Sequence, residues 1–349
     1  MQILNRTSLD YTGYYHPVAQ NIANGDGITL QGKIAIAYPP GYPIILSGFL
    51  LLAKIIYIEE EIILRIFTML FMAIGAALMF ILARMVWDPL RALLASLMWS
   101  CYPLILWTGR QPTTELPFMI FFYASLVFFL KGWLISNRSI LLFFLGGIFC
   151  GISMLIRPIA FGIGILIAIL LLCSHRNSFR RNVLLALCII GGNLIAVLPW
   201  EVWVYSQTGK TIVLSSGRDS FSMLDGICFA SWNPGGHRKG VSVPADVKEF
   251  MNELTSKYPK SLGSVYSETL ELKDVLSIVV EKFKQQPVTV LKLIAIKTAR
   301  SWYGTNSNRY EMLILTVQFI YVILLILSSW LFWKKRTDDR YLLITGQCH

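Results

Sequence analysis

Long apolar runs are the feature of this sequence that most constrains its fold. A helix that crosses a bilayer needs about 20 predominantly apolar residues, because the hydrocarbon core is about 30 Å thick. Seven runs near that length follow one another, at about 62–84, 91–108, 116–134, 140–157, 159–174, 182–204 and 311–333. We expect the short run 159–174 to form a helical hairpin with its predecessor through a tight turn at Arg157-Pro158. The sequence therefore predicts an all-α polytopic membrane protein with about seven transmembrane helices.

The composition agrees with a membrane protein and excludes several other classes. Hydrophobic residues make up 55% of the chain and charged residues only 15%, whereas soluble domains carry about 25% charged residues. A soluble enzyme, a disordered chain and a collagen-like repeat are therefore excluded. The six cysteines show no CxxC or His/Cys metal spacing, so the sequence predicts neither a disulfide framework nor a metal centre.

The basic residues indicate how the chain is oriented in the membrane. Four short hydrophilic breaks, at about 84–91, 131–138, 176–181 and 334–340, carry 11 basic residues against three acids. Lysine and arginine in short loops mark the cytoplasmic side. The N-terminus is then outside and the C-terminus inside, and the net charge of +11 reflects topology rather than nucleic-acid binding. We expect a multi-pass protein of the bacterial inner membrane with no nucleic-acid partner.

One further apolar run, 43–57, does not fit as a span. It is only about 15 residues long and follows Tyr38-Pro39-Pro40-Gly41-Tyr42-Pro43. Counting it as a span would invert all later loops and place the basic breaks outside. We expect it to form a helix that lies in, or dips into, the outer interface.

These assignments divide the chain into five regions. They are an extracytoplasmic first loop with interfacial helices (1–61), a transmembrane core of six spans (62–204), an extracytoplasmic loop or lid (205–310), a last transmembrane helix (311–333) and a cytoplasmic tail (334–349). The last part of the lid, about 275–303, is amphipathic, as a segment resting on a membrane would be.

Two carboxylates at the edge of the membrane are candidates for function, since charged groups are costly to place there. Asp10 and Glu115 both lie at the predicted outer face. Each also has an ordinary structural interpretation. Asp10 begins a short predicted helix that ends near Gly25 and suits an N-cap, and Glu115 suits the first turn of the following span. The sequence leaves both interpretations open.

A cation at the same face adds to these acids. Arg157 lies at the predicted outer edge of the membrane, where the charge rule disfavours a positive side chain. Arginine is a preferred ligand of phosphate. The alternative is that its side chain snorkels to the lipid headgroups. Two carboxylates and an arginine indicate a polar pocket at the membrane boundary. Such a pocket suits transfer from a lipid phosphate, with a carboxylate taking the proton of the acceptor hydroxyl. His16 and His237 also lie outside, and neither has a partner at ligand or triad spacing.

Four stretches in a fixed order carry a family resemblance. They are Asp10 with Tyr14, Ala19, Gly25 and Asp26; Tyr38-Pro39-Pro40-Gly41-Tyr42-Pro43 before an apolar helix; Glu115 before Leu116-Pro117-Phe118; and Gly147 and Gly151 through Arg157-Pro158, then Leu198-Pro199-Trp200 and a large loop opening at Gly209. Over residues 10 to about 210 the chain resembles the GT-C type of membrane glycosyltransferases. Within that type it is similar to the protein O-mannosyltransferases and the bacterial lipid A aminoarabinose transferases.

The resemblance implies a GT-C-like fold and a specific chemistry. A polyprenyl-phosphate-linked sugar would be the donor, attacked with inversion on the outer face by a hydroxyl of a lipid, glycan or protein acceptor. Asp10 and Glu115 would be catalytic, Asp10 as the base or by orienting the acceptor, and Glu115 by supporting the sugar or acceptor side. Arg157 would hold the donor phosphate. The further substrate-binding assignments are Tyr14, Tyr38, Tyr42 and His16. No cofactor is assigned, and a divalent metal, which some relatives need, has no ligand assigned in this sequence.

The chain also departs from the family pattern. We expect it to lack the transmembrane helix that precedes the first loop and some helices after the large loop. Tyr11 stands where many relatives have a second acid, and the nearest lysine to the proline-rich stretch is Lys33. Two other functions remain open. One is a lipid or solute transporter or flippase, although no charged residue lies mid-span as transport sites usually require. The other is a truncated, non-catalytic membrane scaffold.

Overall fold

The computed structural model describes residues 10–110, 112–134, 139–174, 178–215, 227, 243–257, 272–304 and 310–334. Two compact units make up the chain, Met1–Leu214 and Ser215–His349. His237 and the tail beyond residue 334, both named in the sequence analysis, lie outside the described residues.

Helices dominate the first unit. They are α1 (His16–Asn24), α2 (Gly41–Ile55), α3 (Glu60–Arg84), α4 (Pro89–Ser100), α5 (Pro103–Thr108), α6 (Glu115–Leu134), α7 (Ser139–Ile156), α8 (Ile163–Leu172) and α9 (Phe179–Thr208). A π-helical turn, Tyr11–Tyr15, precedes α1, and a two-stranded antiparallel hairpin, β1 (Thr29–Leu30) with β2 (Lys33–Ile34), follows it. The short helix predicted after Asp10 is confirmed, and Gly25 ends it with a φ of 90°, which glycine adopts without steric cost.

Four helices in the described ranges are long and apolar enough to cross a membrane: Glu60–Arg84, Glu115–Leu134, Phe179–Thr208 and Glu311–Ser328. Shorter apolar helices accompany them, at Gly41–Ile55, Ile140–Ile156 and Pro158–Leu172. The all-α polytopic membrane class predicted from the sequence is therefore confirmed. Helix α2 has 15 residues and rises about 22 Å, which falls short of the ~30 Å hydrocarbon core. Its interfacial position stays a prediction.

The predicted span 91–108 is wrong as a single helix. The chain forms α4 and α5 instead, separated at Cys101 and Tyr102. Pro103 has no N–H to continue the hydrogen-bond ladder, and its ring pushes the preceding residue out of the helical region. Tyr102 accordingly has an extended backbone, with φ −65° and ψ 125°.

The predicted hairpin of two short helices is confirmed. Helix α7 ends at Ile156, a 3-10 turn spans Pro158–Ala160, and α8 begins after Gly162, whose φ of 85° lies in the left-handed region. The turn starts at Arg157-Pro158, as expected.

Glycines allow α7 and α9 to approach closely. A Cβ on Gly147 would clash with the carbonyl oxygen of Ile189, and one on Gly192 would clash with the carbonyl oxygen of Phe144. A Cβ on Gly151 would lie 2.7 Å from the Cβ of Ala196. The glycine pair 147 and 151 therefore serves close helix packing, as small residues do between membrane helices.

The second unit contains four described helices of eight or more residues, α10 (Ala245–Lys257), α11 (Leu272–Gln285), α12 (Pro287–Tyr303) and α13 (Glu311–Lys334). Apolar side chains from α10, α11 and α12 meet in one buried cluster that includes Val247, Phe250, Leu254, Val275, Val290 and Leu293. The region predicted as a hydrophilic loop thus has a small hydrophobic core of its own.

Candidate active site

Asp10 is held by a hydrogen bond to a distant tyrosine. It lies just before the π-helical turn Tyr11–Tyr15, but its side chain makes no capping hydrogen bond. The hydroxyl of Tyr38 donates to Oδ1 of Asp10 at 2.7 Å. The N-cap interpretation left open by the sequence therefore does not describe this side chain. Asp10 is instead oriented by the proline-rich segment that precedes α2.

An aromatic cluster supports Tyr38. The ring centroids of Tyr14 and Tyr38 lie 4.7 Å apart, those of Tyr15 and Tyr38 4.9 Å apart, and those of Tyr15 and Tyr42 5.0 Å apart. The Tyr14 hydroxyl donates to the carbonyl oxygen of Tyr38 at 3.4 Å and accepts from its N–H at 3.3 Å. These bonds fix the backbone of the residue that holds Asp10. The structure thus brings together Tyr14, Tyr38 and Tyr42, three of the residues that the sequence analysis assigned to substrate binding.

Burial distinguishes these tyrosines from one another. The rings of Tyr14 and Tyr42 are buried, whereas Tyr38 is partly exposed. Tyr14 and Tyr42 pack in the interior of the aromatic cluster that includes Tyr38. Their contact with substrate stays a prediction. Burial raises the pKa of Tyr42 well above its ordinary value, and Tyr11, Tyr15 and Glu115 raise it further.

Glu115 and Arg157 form an ion pair between two helix ends. Glu115 begins α6, and Arg157 follows the last residue of α7 with an extended backbone. Nη1 of Arg157 donates to Oε1 of Glu115, and the Thr114 hydroxyl lies 3.4 Å from Oε2. The side chains are 40% and 37% exposed for Glu115 and Arg157 respectively. Exposure of this degree leaves the arginine accessible to a ligand.

The segment Tyr38–Tyr42 connects the two pairs. Gly41 packs on the last turn of α7, where an added Cβ would lie 2.6 Å from the carbonyl oxygen of Leu155, two residues before Arg157. Tyr42 follows and is close enough to Glu115 for that carboxylate to raise its pKa. The same short segment therefore contacts Asp10 through Tyr38 and adjoins the Glu115–Arg157 pair through Gly41 and Tyr42. Both predicted acids and the predicted cation lie around one end of the helix bundle.

The turn after α9 packs beside the arginine. Leu214 is buried against Met154 and Ala160, which stand three residues on either side of Arg157. Its N–H donates to Glu201 at 2.8 Å, and its carbonyl oxygen accepts from the indole of Trp200 at 3.0 Å. The φ of Leu214 is 61°, which is unfavourable for a leucine and is kept by these contacts. Sequence reasoning did not find this anchor, because leucine in a loop carries no distinguishing signal.

His16 binds an acid that sequence reasoning missed. Its Nε2 lies within hydrogen-bond distance of Oε1 of Glu60, the first residue of α3. The ring of His16 also lies 5.4 Å from that of Tyr11. Burial raises the pKa of Tyr11 above its ordinary value, and Glu60 adds to this effect. The run of three acids at 59–61, directly before a span on the predicted outer face, is the signal that could have identified Glu60.

A cavity of about 540 Å³ opens beside Glu60. Its wall combines polar and apolar side chains: Gln20, Ala23, Asn24, Leu50, Ala53, Lys54, Tyr57, Ile58 and Glu60. Both of its charged side chains are bonded, Lys54 to Asn24 and Glu60 to His16. The cavity therefore adjoins the His16–Glu60 pair rather than the Arg157 side of the site.

The described residues offer no set of protein ligands for a divalent ion. Among them no three His, Cys, Asp or Glu side chains come together. The candidate residues comprise two carboxylates and one guanidinium, with Tyr38 orienting Asp10 and Arg157 pairing with Glu115. Carboxylates of this kind can accept a proton, and a guanidinium can bind an anion.

Comparison with known proteins agrees with the resemblance drawn from the sequence. No curated protein and no solved structure matches the chain. Residues 38–203 match the family model described as dolichyl-phosphate-mannose-protein mannosyltransferase. The matched segment includes Tyr38, Tyr42, Glu115 and Arg157 and begins after Asp10. Across residues 38–203 the match thus confirms the resemblance of this membrane protein to the GT-C type glycosyltransferases.

Proposed function

We propose that the chain is a membrane glycosyltransferase that moves a sugar from a polyprenyl-phosphate donor to a hydroxyl group. The acceptor would be a lipid, a glycan or a protein, on the extracytoplasmic face of the bacterial inner membrane. The observation that carries this proposal is the accessible guanidinium of Arg157, paired with Glu115 at the end of the helix bundle. The family match over residues 38–203 supports the sugar chemistry.

Arg157 binds the donor phosphate in this proposal. A guanidinium presents a planar fork of N–H donors that suits phosphate oxygens. In the free protein one of these donors is bonded to Glu115, so the phosphate competes with the carboxylate. The prenyl chain remains in the bilayer while its phosphate lies at the boundary, where α6 begins and α7 ends.

Asp10 activates the acceptor. Its carboxylate takes the proton of the acceptor hydroxyl, and the acceptor oxygen forms a bond to the anomeric carbon. The bond from that carbon to the phosphate oxygen breaks, and polyprenyl phosphate leaves with the electron pair. Arg157 stabilises the negative charge of this leaving group. A single displacement of this kind inverts the anomeric configuration. Tyr38 orients Asp10 through the 2.7 Å hydrogen bond.

Mass spectrometry of co-purified lipids tests the donor assignment. We expect the wild-type chain in mild detergent to retain a polyprenyl-phosphate sugar, and Arg157→Ala to lose roughly nine-tenths of it. Arg65→Ala is the matched control, because Arg65 also forms an ion pair, with Glu61, at a helix end. Equal retention by the wild type and Arg157→Ala would contradict the phosphate site. Bulk phospholipid alone in every sample would favour a transporter or a scaffold.

A further inference from the structure

Helix α12 (Pro287–Tyr303) presents an apolar face away from the core of its unit. Val290 and Leu293 are buried in the cluster shared with α10 and α11. Val288, Leu291, Ile294 and Trp302 are each more than half exposed. At 3.6 residues per turn, these four positions lie on the side of the helix opposite the buried ones. The helix is therefore apolar on both its inner and its outer side.

No charged residue of α12 lies within the outer face Val288, Leu291, Ile294 and Trp302. The helix contains Lys292, Lys297 and Arg300 and no acid. Helical spacing places Lys297 and Arg300 on the buried side and Lys292 at the edge of the outer face. The ammonium of Lys292 also donates to Asp246 of α10 at 3.0 Å. A surface helix in water normally presents charged and polar residues outward. An outward apolar face with a lysine at its edge is instead typical of a helix that rests on a membrane.

The C-terminal end of α12 is fixed to the start of a membrane span. Nη2 of Arg300 donates to Oε1 of Glu311 at 2.9 Å, and Nη1 donates to Oε2 at 3.3 Å. The arginine side chain is 3% exposed, so the bidentate pair is well shielded from water. Glu311 is the first residue of α13, whose segment Glu311–Ser328 is long and apolar enough to span. The end of α12 therefore lies beside the first residue of an apolar helix that is long enough to span a membrane.

The neighbouring helix has a similar exposed stripe. Leu276, Val280 and Phe283 of α11 are 43–51% exposed and recur at helical spacing. Lys273 and Lys284 are exposed on the same helix. Two adjacent helices of one unit thus combine exposed apolar side chains with lysines.

We propose that α12 lies in the membrane interface, with the face Val288, Leu291, Ile294 and Trp302 inserted among the lipids. The occupant of this face is a lipid surface containing anionic headgroups. A lipid surface accounts for the absence of charge on the face, for the lysine at its edge and for the junction with α13. Trp302 then lies near the headgroups, where tryptophan is enriched in membrane proteins. The proposal concerns membrane docking alone and does not depend on sugar transfer.

Site-directed fluorescence quenching tests this placement in the full chain. The native cysteines are replaced by serine, and a bimane label is attached to Leu291→Cys or Ile294→Cys in vesicles that contain anionic lipid. We expect brominated lipids to quench these labels roughly threefold more than a label at Gln285→Cys, an exposed polar position of α11. Equal quenching at the three positions would overturn the proposal. Shielding of 291 and 294 from both bromolipid and aqueous iodide would also overturn it, because protein would then cover the face.

A second variant keeps the test independent of any one label. The double substitution Leu291→Asp and Ile294→Asp is examined with the label at Val288→Cys, and circular dichroism confirms that the helix content is retained. We expect the bromolipid quenching at 288 to fall to the level of Gln285→Cys, because two carboxylates oppose insertion near anionic lipid. Unchanged quenching in a folded variant would contradict insertion through this face.

Discussion

At the residue scale, Arg157 has two competing partners in the proposed reaction. Glu115 holds its guanidinium in the free protein, and the donor phosphate replaces that carboxylate when it binds. We therefore expect Glu115→Gln to bind polyprenyl phosphate about twofold to fivefold more tightly while lowering turnover roughly tenfold. The dissociation constant for polyprenyl phosphate and the initial rate of transfer measure the two effects separately.

A double-mutant cycle tests whether the effects of Glu115 and Arg157 on phosphate binding depend on one another. The variant Arg157→Ala with Glu115→Gln is expected to bind the phosphate as weakly as Arg157→Ala alone, because Glu115 then has no cation to compete for. Strictly additive effects would show that the ion pair has no part in donor binding.

Tyr38 provides a second prediction at this scale, through its hydrogen bond to Asp10. Asp10→Asn removes the base, and we expect turnover to fall by roughly a hundredfold or more. Tyr38→Phe keeps the ring and loses only the hydroxyl, so we expect a smaller loss of roughly tenfold in kcat with little change in KM. Tyr57→Phe is the control, since that ring is 95% exposed. A Tyr38→Phe enzyme with the rate of Tyr57→Phe would contradict the orienting role.

The sequence selected as candidate site residues those whose charge conflicts with their predicted surroundings. Asp10, Glu115 and Arg157 stand out because ions are costly at a membrane edge. It did not predict that Glu115 pairs with Arg157 or that Tyr38 holds Asp10, because those contacts join residues 42 and 28 positions apart. Pairing at that separation depends on the packing of α6, α7 and the segment before α2.

At the element scale, apolar runs predicted most helix positions. The runs 62–84, 116–134 and 311–333 correspond to α3, α6 and α13 with ends within two residues. The break between α4 and α5 was missed because apolar character continues through Tyr102-Pro103, although Pro103 itself indicates it. Helix α10 was missed because it is mostly polar, and only its packing in the second unit buries its apolar side.

The contact of α7 with α9 gives a prediction about stability. Gly192 faces the backbone of α7, where an added Cβ would clash with the carbonyl oxygen of Phe144. Gly192→Ala forces the helices apart, and we expect a loss of about 1–3 kcal/mol in the free energy of unfolding. Gly191 has no atom within 4 Å of an added Cβ. Gly191→Ala should therefore be neutral or stabilising by up to ~1 kcal/mol, because alanine favours a helix.

Thermal unfolding in detergent compares these adjacent variants. A lower transition temperature for Gly192→Ala alone would support close packing of the two helices. Equal shifts in both variants would show that the effect comes from helix propensity, and the interpretation of the glycines as packing residues would be wrong.

At the scale of the whole molecule, the proposed function requires the site to face outside. The charge rule predicts this orientation only if α2 does not span, if α4 with α5 crosses the bilayer once, and if the short segment Pro158–Leu172 also crosses it. Length supports the second condition but does not distinguish α2 from Pro158–Leu172, because both segments have 15 residues. The assignment of α2 therefore depends on the basic loops. Helix α2 rises about 22 Å, whereas α4 and α5 rise about 18 Å and 9 Å and the two residues between them add about 6 Å. A broken helix of that total length reaches across the ~30 Å core.

Labelling of single cysteines in intact cells tests this topology. In a chain whose own cysteines are replaced by serine, we expect a membrane-impermeant maleimide to label exposed positions at Lys33→Cys, Tyr57→Cys and Arg110→Cys. We expect Arg91→Cys and Phe179→Cys, which are also exposed, to be labelled only after the membrane is permeabilised. Labelling of Lys33→Cys but not Tyr57→Cys in intact cells would show that α2 spans the membrane. The basic loops would then lie outside, and Glu115 and Arg157 would face the cytoplasm, where a donor presented on the outer leaflet cannot bind them.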